Sequence, residues 1–175
     1  MSAIENIELD LKSDLSRFAG LAGAFGSWDR WRSGAPAPRW QAVDMLELPS
    51  RMIPSTIVVD VVDGGEDLRF RFWGSAMVDF YESELTGQYF SHVSDRLFGR
   101  LPHAQYQKVI NTAAPSLFSV TIRRPNDILA KRINLRLPIA DGHGRVDKVM
   151  TVADIWKPDN RSIGEWISAN KAEQD

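Results

Sequence analysis

The chain of 175 residues is 43% hydrophobic and 25% charged, has a net charge of −2 and contains no cysteine. Those proportions belong to a globular protein rather than a disordered one, and the length suits one domain with an extra terminal segment. They exclude disulfides, thiolate metal sites and thiol nucleophiles, and they argue against a dedicated nucleic-acid binder, which needs a basic surface to meet phosphate.

No apolar run approaches the roughly 20 residues needed to cross a bilayer. The opening MSAIENIELDLKSD is acidic where a signal peptide needs positive charge, so the expected location is the cytoplasm. Residues 7 to 32 have helical spacing: Leu11, Leu15, Phe18, Ala22 and Phe25 form one apolar stripe, with Ser13 or Asp10 available as a cap. Gly20, Gly23 and Gly26 weaken that helix but leave a face on which another element can approach closely. Trp28 and Trp31 follow, and SGAPAPR breaks the helix. The segment WQAVDMLELPSRMIP reads as a short helical turn with a loop.

Strands follow. TIVVDVV, residues 56–62, is β-branched and continuous. LRFRFW, residues 68–73, alternates, which places Leu68, Phe70 and Phe72 on one face and Arg69, Arg71 and Trp73 on the other. DGGED between them is a hairpin turn. Met77, Phe80 and Tyr81 then form a short helical patch, and a longer helix runs from about Pro102 to Ala113 with Tyr106, Val109 and Ile110 inward. LFSVTIRR, RINLRLPIA and VDKVMTVADIW form a three-stranded meander, joined by the hairpin signals RPNDILAK and ADGHGR. Residues 162–170 fit a short C-terminal helix. The order gives an α+β fold, an antiparallel sheet with helices on one face, and no parallel βαβ unit.

The residues Trp28-x-x-Trp31 with Arg32 and Gly34, Pro38-Arg39, IPSTIVVDVV and LRFRFWGSAMVDFYESELTGQYF resemble the PAS domain, and within it a group of small stand-alone PAS proteins of alphaproteobacteria. The resemblance is strongest over residues 28–90 and continues to Trp156 in strand order alone. It implies a PAS-like five-stranded antiparallel sheet with its first strand central, short helices over one face around a small cavity, and an extra N-terminal helix. Its boundaries are an N-terminal helix and linker at 1–39, a PAS-like domain at 40–157 and a tail or short helix at 158–175. Gly74 and Gly87 then fold a helical lid back over the sheet.

The resemblance also implies a sensory module that binds a small ligand, a signalling protein partner, or both. Ligand-lining candidates are Phe72, Met77, Tyr81, Tyr89, Tyr106 and Ile110, which suit a small apolar or aromatic molecule. No particular cofactor is named. Light-sensing relatives attack flavin with a cysteine, which this chain lacks, and haem-binding relatives carry a histidine on the long helix, where His103 stands. Flanking helices in such proteins often mediate dimers, so a homodimer through the N-terminal helix is expected. Two other readings stay open: a scaffold of this fold with a filled core, and a small cone-shaped α+β enzyme using Asp79, Asp154 or His103 inside its pocket. The three histidines have no metal-ligand spacing, and His92 with Asp95 and Ser91 or Ser94 fits a capped helix end better than a triad. Arg123, Arg124, Lys131, Arg132 and Arg136 cluster around one hairpin, either as a solvated strand edge or as a contact for an anionic ligand or acidic partner.

Overall fold

The computed structural model describes residues 3–97, 101–124 and 127–156. In chain order the elements are β1 (Ala3–Leu9), α1 (Leu11–Asp14), α2 (Ala19–Arg32), three 3-10 turns between Trp40 and Ser55, β2 (Thr56–Val62) and β3 (Asp67–Trp73). They continue with α3 (Ser75–Tyr81), α4 (Phe90–Leu97), α5 (Leu101–Thr112), β4 (Ser116–Arg124), β5 (Asp127–Ala140) and β6 (Val146–Trp156). The strands form one sheet in the order β1-β4-β5-β6-β2-β3, with every pairing antiparallel. The last five positions in that order match the expected sheet, with β2 flanked by β6 and β3. The turn residues 125 and 126, and the helix expected at 162–170, lie outside the described residues.

The sheet has six strands because the first residues are not helical. The expected helix over 7–32 is replaced by β1, a short α1 and then α2. β1 pairs with β4 from Ala3↔Arg123 to Leu9↔Leu117, so the outer edge of β4 gains a partner for its backbone groups. Side chains fix the pairing: Glu8 meets Lys108 of α5, and Arg123 lies 3.3 Å from Glu5. Asp10 caps α1 by accepting from the Lys12 amide at 3.0 Å. Phe18 then leaves helical geometry (φ −122°, ψ 86°) and separates the remaining stripe from α2.

Two apolar cores sit on opposite faces of the sheet. Between the sheet and α3, α4 and α5 lie Ile57, Val59, Leu68, Phe70, Trp73, Met77, Phe80 and Val109. Under α2 lie Leu21, Ala24, Trp28, Trp31, Val58, Leu135, Leu137, Met150 and Val152. The face of α2 turned inward is thus one of small residues and tryptophans, while Leu11, Leu15, Phe18 and Phe25 are only half-buried beside it. The glycines do allow close approach: a Cβ on Gly23 would stand 2.7 Å from Pro49 Cγ, and one on Gly20 2.5 Å from Met52 Sδ. The Trp28 indole donates 2.8 Å to the carbonyl of Pro138, and Trp31 donates 2.8 Å to Glu47.

A β-bulge revises the alternation expected in β3. Val58 pairs with Phe72 but Val59 pairs with Phe70, so Arg71 is the extra residue. The insertion reverses the phase: Leu68, Phe70 and Trp73 face the helices, while Phe72 joins the core under α2. Arg71 bonds Asp60 at 2.7 Å on that same side and lies over the Trp40 ring.

The chain leaves β3 through Gly74. A Cβ there would stand 2.7 Å from the carbonyl carbon of Pro54 and 2.9 Å from the carbonyl oxygen of Thr56, with the oxygen of Pro54 closer still. α3 ends at Glu82 in the left-handed region (φ 51°), not at Gly87. Gly87 is left-handed as expected (φ 84°), but it serves to hang the following segment on β3, through Gly87 N to Phe70 O at 2.6 Å and Phe70 N to Gln88 O at 2.9 Å. Gly74→Ala is expected to cost about 2–3 kcal/mol in urea unfolding, because its neighbours are backbone and cannot yield. Gly142→Ala, with nothing within 4 Å, is expected to change stability by less than about 0.5 kcal/mol.

Candidate functional site

Alternation along β5 sends Ile133, Leu135, Leu137 and Ile139 into the core under α2. The intervening positions Arg132, Asn134 and Arg136 therefore face α3, α4 and α5. All three are buried: Arg136 is 1% exposed, Asn134 0% and Arg132 8%. The solvated-edge reading of the arginine cluster fails for these two arginines, because β5 lies between β4 and β6 and β1 extends the sheet further. Arg123 and Lys131 are exposed.

Arg136 is held on three sides. Its Nε and Nη2 donate to Gln105 Oε1 at 3.0 and 2.7 Å, and its Nη1 donates to Thr151 Oγ1 at 2.6 Å. Its guanidinium lies 3.9 Å from the centroid of the Tyr106 ring. Gln105 passes the link outward by donating 2.8 Å to Asn6 of β1. Arg132 donates through Nη1 to the Tyr81 hydroxyl and lies over the rings of Phe80 and Tyr81 at 5.6 and 5.4 Å. Its Nε, and both the nitrogen and the oxygen of the Asn134 amide, are buried without a hydrogen-bond partner among the described residues.

The electrostatics are one-sided. Among the described residues neither Arg132 nor Arg136 forms an ion pair. Burial lowers the Arg136 pKa, and the Arg132 charge pushes the same way. Burial raises the Tyr81 phenol above its ordinary value against the pull of both arginines, so at neutral pH it is an uncharged donor and acceptor. Next to the guanidinium groups lies a cavity of about 20 Å³, walled by Phe70, Trp73, Tyr81, Phe90 and Tyr106. That is room for one water-sized guest. A larger cleft of about 380 Å³ lies at the surface beside residues 35–39 and the β5–β6 hairpin, walled mainly by alanine, proline and glycine. The smaller pocket is the stronger candidate, because buried arginines converge on it.

The six ligand-lining candidates separate. Tyr81 and Tyr106 wall the cavity. Met77 is fully buried in the same core but does not border the cavity, and Ile110 is half-buried against that core. Phe72 is on the opposite face, for the bulge reverses the strand before it. Tyr89 is 37% exposed and packs against His92, since it belongs to the segment hung on the edge strand β3. Arg132, Asn134, Arg136, Gln105 and Thr151 were not among the candidates for lining the site. A signal was present: the middle strand of a meander has a neighbour on each side, so its alternate positions point into the fold.

Asp79 and Asp154 are exposed, and neither borders the cavity. His103 is half-buried, stacks on Phe90 and places Nε2 3.2 Å from the carbonyl of Gly65. Among the described residues no three His, Cys, Asp or Glu side chains gather as metal ligands. Ser91 meets Asp67 of β3: Ser91 Oγ donates at 2.6 Å and its amide at 3.1 Å. This contact pins the start of α4 to the sheet.

No protein-family model and no curated protein sequence matches the chain. Among solved structures it is similar to a light-oxygen-voltage domain whose mechanism was studied with a flavin analogue, at 11% identity and a TM-score of 0.42, over 69% of this chain and 87% of that one. It is also similar to an RNA-binding light-oxygen-voltage receptor, at 11% identity and a TM-score of 0.45, over 99% of this chain and 44% of that one. Among the described residues no helix is long and apolar enough to cross a membrane.

Three predictions follow from these contacts. Gln105→Leu leaves the buried Arg136 charge without its double acceptor and is expected to cost about 2–3 kcal/mol. Arg136→Met removes the charge itself and is expected to leave urea-unfolding stability equal or higher, as apolar replacement of buried ionic groups often does. For Asp67, partial burial raises the pKa, but hydrogen bonds from Ser91 and Leu68 outweigh it and hold the carboxyl below its ordinary value. Its stabilising contribution is therefore present above the unfolded carboxylate pKa of about 3.9 and lost as pH falls through the lower folded value. Ser91→Ala is expected to raise the Asp67 midpoint in an NMR carboxyl titration and to move the acid limb of stability to higher pH.

Proposed function

We propose that the chain is a PAS-type sensory module that holds a small ligand between its sheet and α3, α4 and α5, and passes occupancy to a signalling protein partner. One observation carries this reading: in a largely apolar face the sheet presents two buried arginines and a buried asparagine, and among the described residues Arg132 Nε and the Asn134 amide have no hydrogen-bond partner. Polar atoms without partners inside a core lower stability, so they point to a use other than packing. Support also comes from the strand order β4-β5-β6-β2-β3 with helices over one face, the arrangement that the PAS resemblance of residues 28–90 implies. The inner aromatics Tyr81 and Tyr106 remain ligand-lining residues in this reading, and Phe72 and Tyr89 do not.

Transmission has a physical route. Asn6, Gln105 and Arg136 form one hydrogen-bonded chain from the outermost strand to the interior. A ligand that shifts Arg136 acts on the position of α5 and β1, and it alters a partner's affinity only if it binds the two arrangements differently. Self-association through the N-terminal helix stays part of the proposal, with one change. The inward face of α2 is occupied by the chain's own sheet, so a second copy would meet the half-buried side around Phe18 and Phe25.

The scaffold reading has its own observation, the small volume of the cavity. Native mass spectrometry and absorption spectra of the purified protein, followed by NMR with a metabolite panel, decide between the two. A retained molecule, or resonance shifts at Tyr81 and Tyr106 on titration, is the expected result. Clean protein masses with no shift from any compound would leave the scaffold, and the same samples in sedimentation velocity report self-association.

A further inference from the structure

We infer that the site beneath α5 takes a small monovalent anion, a halide, nitrate or short carboxylate, held by Arg132 and Arg136. The inference rests on the sensory reading above and names the ligand class.

Charge is the first argument. Two guanidinium groups lie on one face of one strand, four residues apart, both buried. Removing each from water is costly, and the two repel one another. Structural arginines at such depth are ordinarily matched by carboxylates. Among the described residues no carboxylate is within ion-pair distance of either. Thr151, Gln105 and Tyr81 fill hydrogen bonds on them but bring no negative charge.

Hydrogen-bond capacity is the second. Arg132, whose Nε–H has no partner among the described residues, borders the cavity, and Asn134 lies two residues further along on the same face. That Nε–H is a donor without an acceptor, and an anion accepts from it without needing a donor of its own. A neutral apolar ligand would leave these groups as they are.

Size is the third. The cavity of about 20 Å³ beside the guanidinium groups has room for one small guest, and the aromatic walls partly shield it from water, which strengthens the attraction. An aromatic ligand of the kind expected from the sequence would have to displace Tyr81 or Tyr106.

The test uses the full chain in a buffer whose only anion is gluconate, too large for the cavity, at constant ionic strength. Gluconate is exchanged stepwise for chloride, nitrate, formate or acetate while the thermal midpoint is followed. The expected result is a saturable rise of about 3–5 °C at high occupancy. It should be present in wild type and in Arg123→Met, and absent in Arg132→Met and Arg136→Met. Preference for chloride and nitrate would assign an inorganic anion, and preference for formate and acetate the carboxylate of an organic acid. Chloride-35 NMR line broadening, lost in Arg136→Met, gives a readout independent of stability. A linear rise shared by all variants, or no rise with any anion, overturns the inference. If the metabolite panel shifts Tyr81 and Tyr106 while the small anions do nothing, the anion inference falls and the sensory reading stands; if both fail, both fall.

Discussion

The fold depends on the position of β5. This strand has a paired neighbour on each side and helices over both faces, so every side chain along its middle is withdrawn from water. Its odd positions are aliphatic and form the floor of the core under α2. Its even positions are Arg132, Asn134 and Arg136, and the opposite side of the molecule is arranged around them. α5 supplies Gln105 and Tyr106, β6 supplies Thr151 and α3 supplies Tyr81. A central strand that is oily on one face and cationic on the other makes the two halves of the protein different in kind. One half is a packing core. The other combines an aromatic wall with a polar floor.

The two sides communicate through the edges of the sheet. β1 closes the side nearest the arginines and contacts α5 through Asn6 and Glu8. At the far edge, β3 carries the segment around Gly87 and Gln88, and Asp67 holds the start of α4. The bulge at Arg71 lets β3 supply two tasks at once: Phe70 and Trp73 for the aromatic wall, and Phe72 for the core under α2. Without the extra residue Trp73 would fall on the α2 side, and the wall would lose a member that also anchors the loop after α3 through its bond to the carbonyl of Ser83.

Much of this is written in the sequence. The bounds of β2 and β6, the inward Tyr106 and Val109 of α5, and the need for glycine at position 74 follow from alternation, helical spacing and the sharp exit from a strand. What was not legible has definite physical causes. ENIEL carries no strong β-branched run, and it becomes a strand because β4 has open backbone groups to satisfy, which is a tertiary fact. A one-residue bulge has no signature within a perfectly alternating stretch such as LRFRFW, so Phe72 and Trp73 read on the wrong faces. The arginines of β5 resembled a solvated edge because charge is a strong signal for exposure, and only the topology of a meander outweighs it.

The placement of β1 also sets an order of events. Its partner residues run from Leu117 to Arg123, and the indole of Trp28 bonds a carbonyl 110 residues further on. β1 and the Trp28 indole therefore have no sheet to dock on until the residues of β4 and β5 exist. At synthesis rates of about 5–20 residues per second, that interval is on the order of 5–25 seconds. Throughout it α2 has only the nearby segment around Glu47, Pro49 and Met52 to pack on. The closing of β1 onto β4 is a long-range step that must wait for β4.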